Sequence, residues 1–444
     1  MRRGLSLVFI FFMGLSPLLF YGQEMPTDKD REEEPLAPSQ EELEDITDLL
    51  KPDIVRDFDI PIVLNDAVEY YVTYFTTEKR EVFSRWLKRS RLYIPLMKEV
   101  LRREGLPEDL VYLAMVESGF NPKAHSPKRA CGPWQFIAET GKRYGLKVDY
   151  WRDERRDFEK STIAAARYLK DLFDQFGCWF LAQAAYNAGE RRLERAIRTH
   201  ETQDFWELAK YSVLPAETRA FVPKIIAAAI IAKNPEAFGF EGSGYEEPMR
   251  FKKWTVRGGI PLKTIAQAAG IETSELRRLN PEILRGITPP AEESYVLRLP
   301  DTVEEEVFEE RLGALLKNSK VYSHLRPYRL KKKESIASVL RRHGVSYEDL
   351  ALVNGVEGSF KVKRGSIIYI PLFCKDRGAG KRVEGGLRGA SYRRTLFYHR
   401  VRRGETLSSI ALRYGVAVEE IKRLNRIGDS DTIRVGAKLK IRKK

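Results

Sequence analysis

The sequence predicts a multidomain chain, one all-helical domain followed by three small strand–helix–helix–strand (βααβ) modules. Three observations predict this. From about residue 60 to 240, apolar residues recur at helical spacing, with breaks at Gly105-Leu106-Pro107 and Asn234-Pro235. Downstream the chain repeats itself: 256–280, 330–354 and 401–425 align without gaps, 74 and 71 residues apart. Ahead of both, residues 24–59 are rich in Glu, Asp and Pro, as in Arg31-Glu32-Glu33-Glu34-Pro35, and read as a solvated tether. At 444 residues, 43% of them hydrophobic, the chain is long enough for about three or more folded units.

Taken in order, Met1-Arg2-Arg3 is a short positive segment and residues 5–20 are an almost unbroken apolar run containing Gly14 and Pro17. That run is short for a membrane span of about 20 residues. Residues 1–22 therefore read as a secretory signal, with an uncleaved membrane anchor as the alternative. No cysteine precedes Cys131, so lipid attachment to an N-terminal cysteine is excluded. The tether covers 23–59 and the helical domain 60–245. The modules cover 250–300, 324–372 and 396–444, with a Gly- and Arg-rich basic linker at 373–395.

In the repeat, Gly270, Gly344 and Gly415 coincide, as do Leu276, Leu350 and Ile421, and Asn280, Asn354 and Asn425 close the pattern. In the third copy a strand at 398–401 leads through Arg403-Gly404-Glu405 to a helix from Thr406 that Gly415 ends. A second helix at 418–424, Asn425 and a strand at 438–441 complete the module. The second copy has Lys332-Lys333-Glu334-Ser335 at the Gly-Glu-Thr position, and the first has Gly258-Gly259-Ile260-Pro261.

The net charge of +14 suits polyanionic partners, and export leaves acidic wall polymers or anionic lipid rather than nucleic acid. Cys131, Cys178 and Cys374 form no CxxC pair and the five histidines lack ligand spacing, so no metal or other cofactor is expected. Three unpaired thiols are expected, with a Cys131–Cys178 bridge as the alternative.

One helix carries the chemistry. Pro107, Glu108 and Asp109 start it, and Leu110, Leu113 and Ala114 form an apolar stripe whose next position is Glu117. Burial and the negative helix end would both raise the pKa of a carboxyl there, as a general acid near neutral pH requires. The stripe alone is equally compatible with a solvated glutamate at a helix end. Downstream come Gly132-Pro133-Trp134-Gln135-Phe136, Ala185-Tyr186-Asn187-Ala188-Gly189, and a segment running from Leu214-Pro215-Ala216-Glu217 through Thr218-Arg219-Ala220-Phe221. In this order they resemble the catalytic domain of the soluble lytic transglycosylases, a goose-lysozyme-like all-α fold, over about 90–240. The modules resemble LysM, a family that binds N-acetylglucosamine-containing glycans. The whole chain resembles the membrane-bound lytic murein transglycosylase D group.

The resemblance implies Glu117 as the sole catalytic acid/base, Ser118 as a support of substrate-binding geometry, and Gln135, Tyr186 and Asn187 as glycan contacts. In the third module it implies Gly404, Glu405, Thr406, Leu407 and Asn425 as glycan-binding. The implied partner is the peptidoglycan glycan strand, in the periplasm or cell envelope, for a monomeric enzyme without cofactor. The implied reaction cleaves the MurNAc–GlcNAc β-1,4 bond and leaves 1,6-anhydro-MurNAc ends. A muramidase hydrolase and a non-catalytic wall-binding scaffold are the rivals. Pro133-Trp134 replaces the common Leu-Met, which is expected to change groove shape. Phe221 stands where the family usually has a tyrosine near the acid. Glu217 is expected to pair with Arg219.

Overall fold

The structure, a computed structural model, describes residues 57–240, 247–318, 320–331, 334–356, 365–373, 396–401, 407, 410, 418–425, 427 and 436–442. The N-terminal signal segment, most of the tether, the basic linker from Cys374 onward, and Gly404, Glu405 and Thr406 lie outside the described residues, while Phe373, expected in the linker, closes a strand. The chain divides into two compact units, 1–375 and 376–444.

The helical domain comprises α1 (Asp66–Thr76), α2 (Arg80–Arg103), a 3-10 turn (Glu108–Leu110), α3 (Val111–Ser118), α4 (Ala138–Arg143), a 3-10 turn (Glu154–Arg156), α5 (Phe158–Phe176), α6 (Trp179–Ala188), α7 (Glu190–His200), α8 (Phe205–Leu208) and α9 (Ala216–Lys233). Helix α9 is apolar on nearly every face, with Phe221, Val222, Ile225, Ile226 and Ala227 to Ile231 all buried. Such a helix is stable only as a central rod. Helices α1, α3 and α6 pack on it, which sets the helices bearing Glu117 and Asn187 against one support. Among the described residues no helix is long and apolar enough to cross a membrane.

Among the described residues three two-stranded antiparallel sheets follow. The first module pairs β1 (Phe251–Val256) with β2 (Tyr295–Pro300) around α10 (Leu262–Ala269) and α11 (Thr273–Leu279). After β2, α12 (Glu305–Asn318) packs against α10, an element the repeat does not carry. The second pairs β3 (Tyr322–Arg329) with β4 (Ile367–Phe373) around α13 (Ile336–His343) and α14 (Tyr347–Asn354). In the separate second unit, β5 (Leu396–Arg400) pairs with β6 (Lys438–Arg442) beside α15 (Val418–Asn425).

The recurring asparagine explains itself. Asn280 Nδ2 donates to the carbonyls of Leu276 (2.9 Å) and Arg298 (2.8 Å), and its Oδ1 accepts from Arg298 N (2.8 Å). Asn354 repeats the pattern with Leu350 and Tyr369, and Asn425 with Ile421 and Lys440. One amide thus ties the end of the second helix to the closing strand, replacing ladder bonds that neither element can supply.

Within the first unit the modules are not beads on a string. Gly259 N donates to Thr288 O (2.9 Å), and its carbonyl accepts from Tyr322 N (2.9 Å). With φ at 83° and a Cβ that would stand 1.9 Å from Tyr322 O, only glycine fits. The first module also pairs with the helical domain. Arg152 and Ile283 form an antiparallel bridge, Asp153 N donates to Glu282 O (2.9 Å) and Leu284 N to Trp151 O (2.8 Å). Beside it, Arg298 forks onto Asp157, Nη1 to Oδ2 at 3.0 Å and Nη2 to Oδ1 at 2.9 Å, and reaches Glu159 Oε2 at 3.0 Å. Asp157 is fully buried and also caps α5 through Glu159 N and Lys160 N.

Removing the guanidinium leaves that carboxylate buried without its main partner. Arg298→Met is therefore expected to destabilise the first unit by about 3–5 kcal/mol in urea unfolding. Burial opposes the charge on Asp157, but Arg298 and Lys160 hold its carboxyl below the ordinary value. A depressed folded pKa gives stability that is present above the unfolded value and is lost on acidification through the folded one. The difference between wild type and variant should accordingly shrink as pH falls below about 4.

Candidate active site

Glu117 sits on α3, and α3 is fixed at both ends. At its start the Asp59 carboxylate accepts from the N–H groups of Glu108 (2.5 Å) and Asp109 (3.0 Å), a cap delivered from about fifty residues away. Asp109 is buried and meets Lys98 (3.2 Å) and Lys233 of α9 (2.7 Å). Burial works against its charge, yet Lys233, the Asp59 N–H and Lys98 hold its carboxyl below the usual range. At its end Gly119 takes the left-handed conformation, φ 55°, with its N–H on Ala114 and Met115 carbonyls. A Cβ there would stand 2.0 Å from Trp86 Cδ1, so the stop requires glycine.

Residues 111–115 are all buried, so α3 is enclosed on every side and an apolar stripe does not single out Glu117. What distinguishes Glu117 is that it lies where the helix leaves the core, half-buried, just before the glycine stop. Its pKa is pushed up to about 8, first by desolvation and then by the Glu217 carboxylate, with Lys128 opposing. Glu217 pairs with Lys128 (3.4 Å) and not with Arg219 as the sequence suggested. Residues two apart on a helix point to different faces.

The segment 124–136 faces this helix with no regular structure, although 130–134 are buried. Its carbonyls are taken one by one. Ser118 Oγ donates to Pro133 O (2.8 Å) and Tyr186 OH to Trp134 O (2.7 Å). Gln135 Nε2 donates to Gly132 O (2.7 Å), and Gln135 itself holds a left-handed φ of 47°. Asn187 Oδ1 accepts from Thr218 Oγ1 of α9 (2.7 Å). The structure thus brings Glu117, Ser118, Gln135, Tyr186 and the Asn187–Thr218 pair around one loop. Burial, and then the charge of Glu117, raise the Tyr186 pKa well above its ordinary value, so the two side chains are within electrostatic reach.

Some expectations are corrected. Trp134 does not shape a groove: it is fully buried, with Nε1 donating to Thr162 Oγ1 of α5 (2.9 Å). Ser118 acts on the loop, since its hydroxyl is committed to Pro133. Leu407 is buried at 2% exposure in the core of the third module, with Val401, Ile410, Ile421, Leu439 and Ile441, so its side chain is packing and not a sugar contact. Both amide protons of Asn425 are committed to the module's backbone. Phe221 is core of α9, without a hydroxyl to offer. Asp59, Lys128 and Thr218 were not singled out in the sequence. Cys131 and Cys178 are free thiols, and among the described residues no group of His, Cys, Asp and Glu could hold a metal.

A carboxyl whose folded pKa lies above its ordinary 4.5 favours the folded state at low pH and loses that advantage as pH rises toward about 8. Glu117→Gln should therefore raise unfolding stability at pH 8, on the order of 2 kcal/mol after allowance for partial exposure, and match wild type below about pH 4. In carboxyl-carbon NMR titrations, Glu217→Gln should lower the Glu117 pKa and Lys128→Met should raise it.

Family models give the wider context. A transglycosylase SLT domain matches residues 95–209, a LysM domain matches 328–371 and 399–442, and a lytic transglycosylase MltD, LysM-like domain matches 250–314. The membrane-bound lytic murein transglycosylase D of Escherichia coli K12 is 33% identical over 363 residues, 79% of this chain and 76% of the relative. A putative tributyltin chloride resistance protein of Alteromonas sp. strain M-1 is 36% identical over 115 residues, 25% of this chain and 56% of the relative. Among solved structures, the 70 kDa soluble lytic transglycosylase of Escherichia coli aligns over 41% of this chain and 35% of its own, at 21% identity and a TM-score of 0.31.

Proposed function

The chain belongs to the membrane-bound lytic murein transglycosylase D family, and from that premise we propose that Glu117 is the single acid/base of a peptidoglycan lytic transglycosylase whose LysM modules hold the enzyme on the wall. One observation carries the assignment. Glu117 is the carboxyl in this domain whose pKa is pushed up to about 8 at a half-buried helix end, so it is protonated at neutral pH. That is the state a general acid must start from.

In this reading Glu117 protonates the glycosidic oxygen after N-acetylmuramic acid, and the bond from C1 to that oxygen breaks while the substrate's N-acetyl oxygen stabilises C1. The Glu117 carboxylate then takes the proton of the C6 hydroxyl, whose oxygen closes onto C1 as the N-acetyl oxygen leaves. The 1,6-anhydro end forms and Glu117 is protonated again. No water enters. Two carboxyls would be needed for ordinary hydrolysis. The carboxylate felt by Glu117 is Glu217, which is exposed and paired with Lys128, so it supplies repulsion rather than a nucleophile.

Gln135 and Asn187 are the proposed glycan contacts. Gln135 Oε1 and the Asn187 amide nitrogen have no hydrogen-bond partner among the described residues, while their other ends are held by the protein. Tyr186 and Ser118 hold the loop that carries Gln135. The site of action is the cell envelope, on its periplasmic side.

Digested sacculi analysed by mass spectrometry should show ends lighter by one water than ordinary reducing ends. Glu117→Gln should lower the rate by about 10²–10⁴-fold. Turnover should hold up to about pH 8 and fall above it as Glu117 ionises. Ordinary reducing ends would identify a muramidase, and a change of less than about tenfold in Glu117→Gln, ~1.4 kcal/mol of barrier, would leave a wall-binding scaffold.

A further inference from the structure

Arg155 has a task that neither the fold of its own segment nor the acid/base chemistry explains. It lies in the 3-10 turn Glu154–Arg156, almost wholly buried at 7% exposure, and it uses its guanidinium on two sides. Toward its own turn, Nε and Nη2 fork onto Asp153, at 2.9 and 2.7 Å. Toward the site, Nη1 donates to two carbonyls of the loop, Arg129 O at 3.0 Å and Phe136 O at 2.9 Å. The Arg155 backbone also closes on the loop, since a Cβ on Gly132 would stand 1.8 Å from the Arg155 carbonyl oxygen.

The two carbonyls it holds are informative. Arg129 and Gln135 are non-glycine residues in the left-handed region, with φ of 63° and 47°. Arg155 grips the carbonyl of the first and the carbonyl next after the second. Left-handed non-glycine residues cost of order 1–3 kcal/mol each and persist only where the surroundings over-determine them. Here one buried fork reaches both ends of the loop, adding to the loop's own backbone bonds such as Cys131 N to Phe136 O (3.1 Å). The turn is itself braced, because residues 151–153 pair with 282–284 of the first module.

We propose that Arg155 is a positioning residue for the transglycosylase reaction, clamping both strained ends of the loop so that Gln135 presents its carboxamide to the glycan in register with Glu117. The inference rests on the reading of Gln135 as a glycan contact. Arg155 touches no reacting atom and acts through the loop. Lysine cannot replace it, because a point charge cannot fork onto Asp153 while donating to two carbonyls.

The test is a double-mutant cycle in the full-length chain, Arg155→Met with Gln135→Ala, assayed on purified uncrosslinked glycan strands. Each single variant should lose about tenfold or more in kcat/KM. The double variant should lose no more than the more damaged single one, because both changes remove the same interaction. Arg155→Lys should not rescue, and the basic limb of the pH profile should stay at its wild-type position. Losses that multiply in the double variant overturn the proposal, as does rescue by lysine or a displaced basic limb. Wild-type kinetics in Gln135→Ala overturn it by another route, since the glycan contact beneath it then fails, and the two failures are told apart by that single variant. If Arg155→Met does not fold, as judged by circular dichroism, Asp153→Asn removes one arm of the clamp at constant volume and enters the same cycle.

Discussion

The site depends on satisfying the backbone of one buried stretch that has no helix or strand to do it. Residues 130–134 are buried, and a buried irregular segment is tolerated only where its polar groups find partners. Isolated backbone bridges at Cys131 and Gly132 supply some of them, and side chains from three places supply more: Ser118 at the end of α3, Tyr186 near the end of α6, and Arg155 in the turn before α5. The Trp134 side chain adds an apolar anchor, sunk into the core against α5. The helix that bears Glu117 and the helix that bears Asn187 are thereby joined through the loop between them in space. Positions whose residues touch the loop cannot vary independently of it.

The same domain keeps carboxyls in two electrostatic regimes, and the difference lies in their cations. Asp109, Asp153 and Asp157 are all buried, and each has a cationic nitrogen within 3 Å that holds its pKa down despite desolvation. These groups are structural. Among the described residues Glu117 has no such partner. Its nearby cation, Lys128, is already engaged by Glu217, so attraction and repulsion largely offset each other and desolvation decides. An acid that must give up and regain a proton in each turnover is best left without a dedicated counter-charge, since a tight ion pair would hold it ionised.

Much of this was legible in the sequence, and the illegible part has one physical character. Helical periodicity, the glycine stops and the threefold repeat are local patterns, repeated by every residue that shares a face; the Glu117 and Tyr186-Asn187 motifs fall on helices, and the Gln135 motif, in an irregular loop, was legible only through the family resemblance. What could not be read is polar pairing across long separations. The Asp59 cap reaches α3 from about fifty residues away, and Lys128 meets Glu217 across 89 positions. Arg298 meets Asp157 across 141. Such pairs leave no periodic trace: a charged residue looks the same whether it will be solvated or buried. Trp134 failed for a related reason. An aromatic beside a proposed sugar contact suggests a change of groove shape, and only the tertiary fold turns it inward.

The uneven decay of the repeat follows from the same separation of local and long-range demands. The asparagine survives in all three copies because its task, joining the second helix to the closing strand, is internal to each module. In the first copy the turn after the first strand is held from within the module, by Gly258 N to Glu292 O and Gly259 N to Thr288 O, and also from outside it. There Gly259 lies against the backbone of the second module at Tyr322, so closely that a side chain is excluded, while β2 sends Arg298 into the catalytic domain. A module bound on two sides does not carry the Gly-Glu-Thr sequence that the third copy has at 404–406. Gly259 marks that docking, and the docking makes the first module a structural member of the catalytic unit: by pairing with 151–153 it braces the turn from which Arg155 reaches the loop.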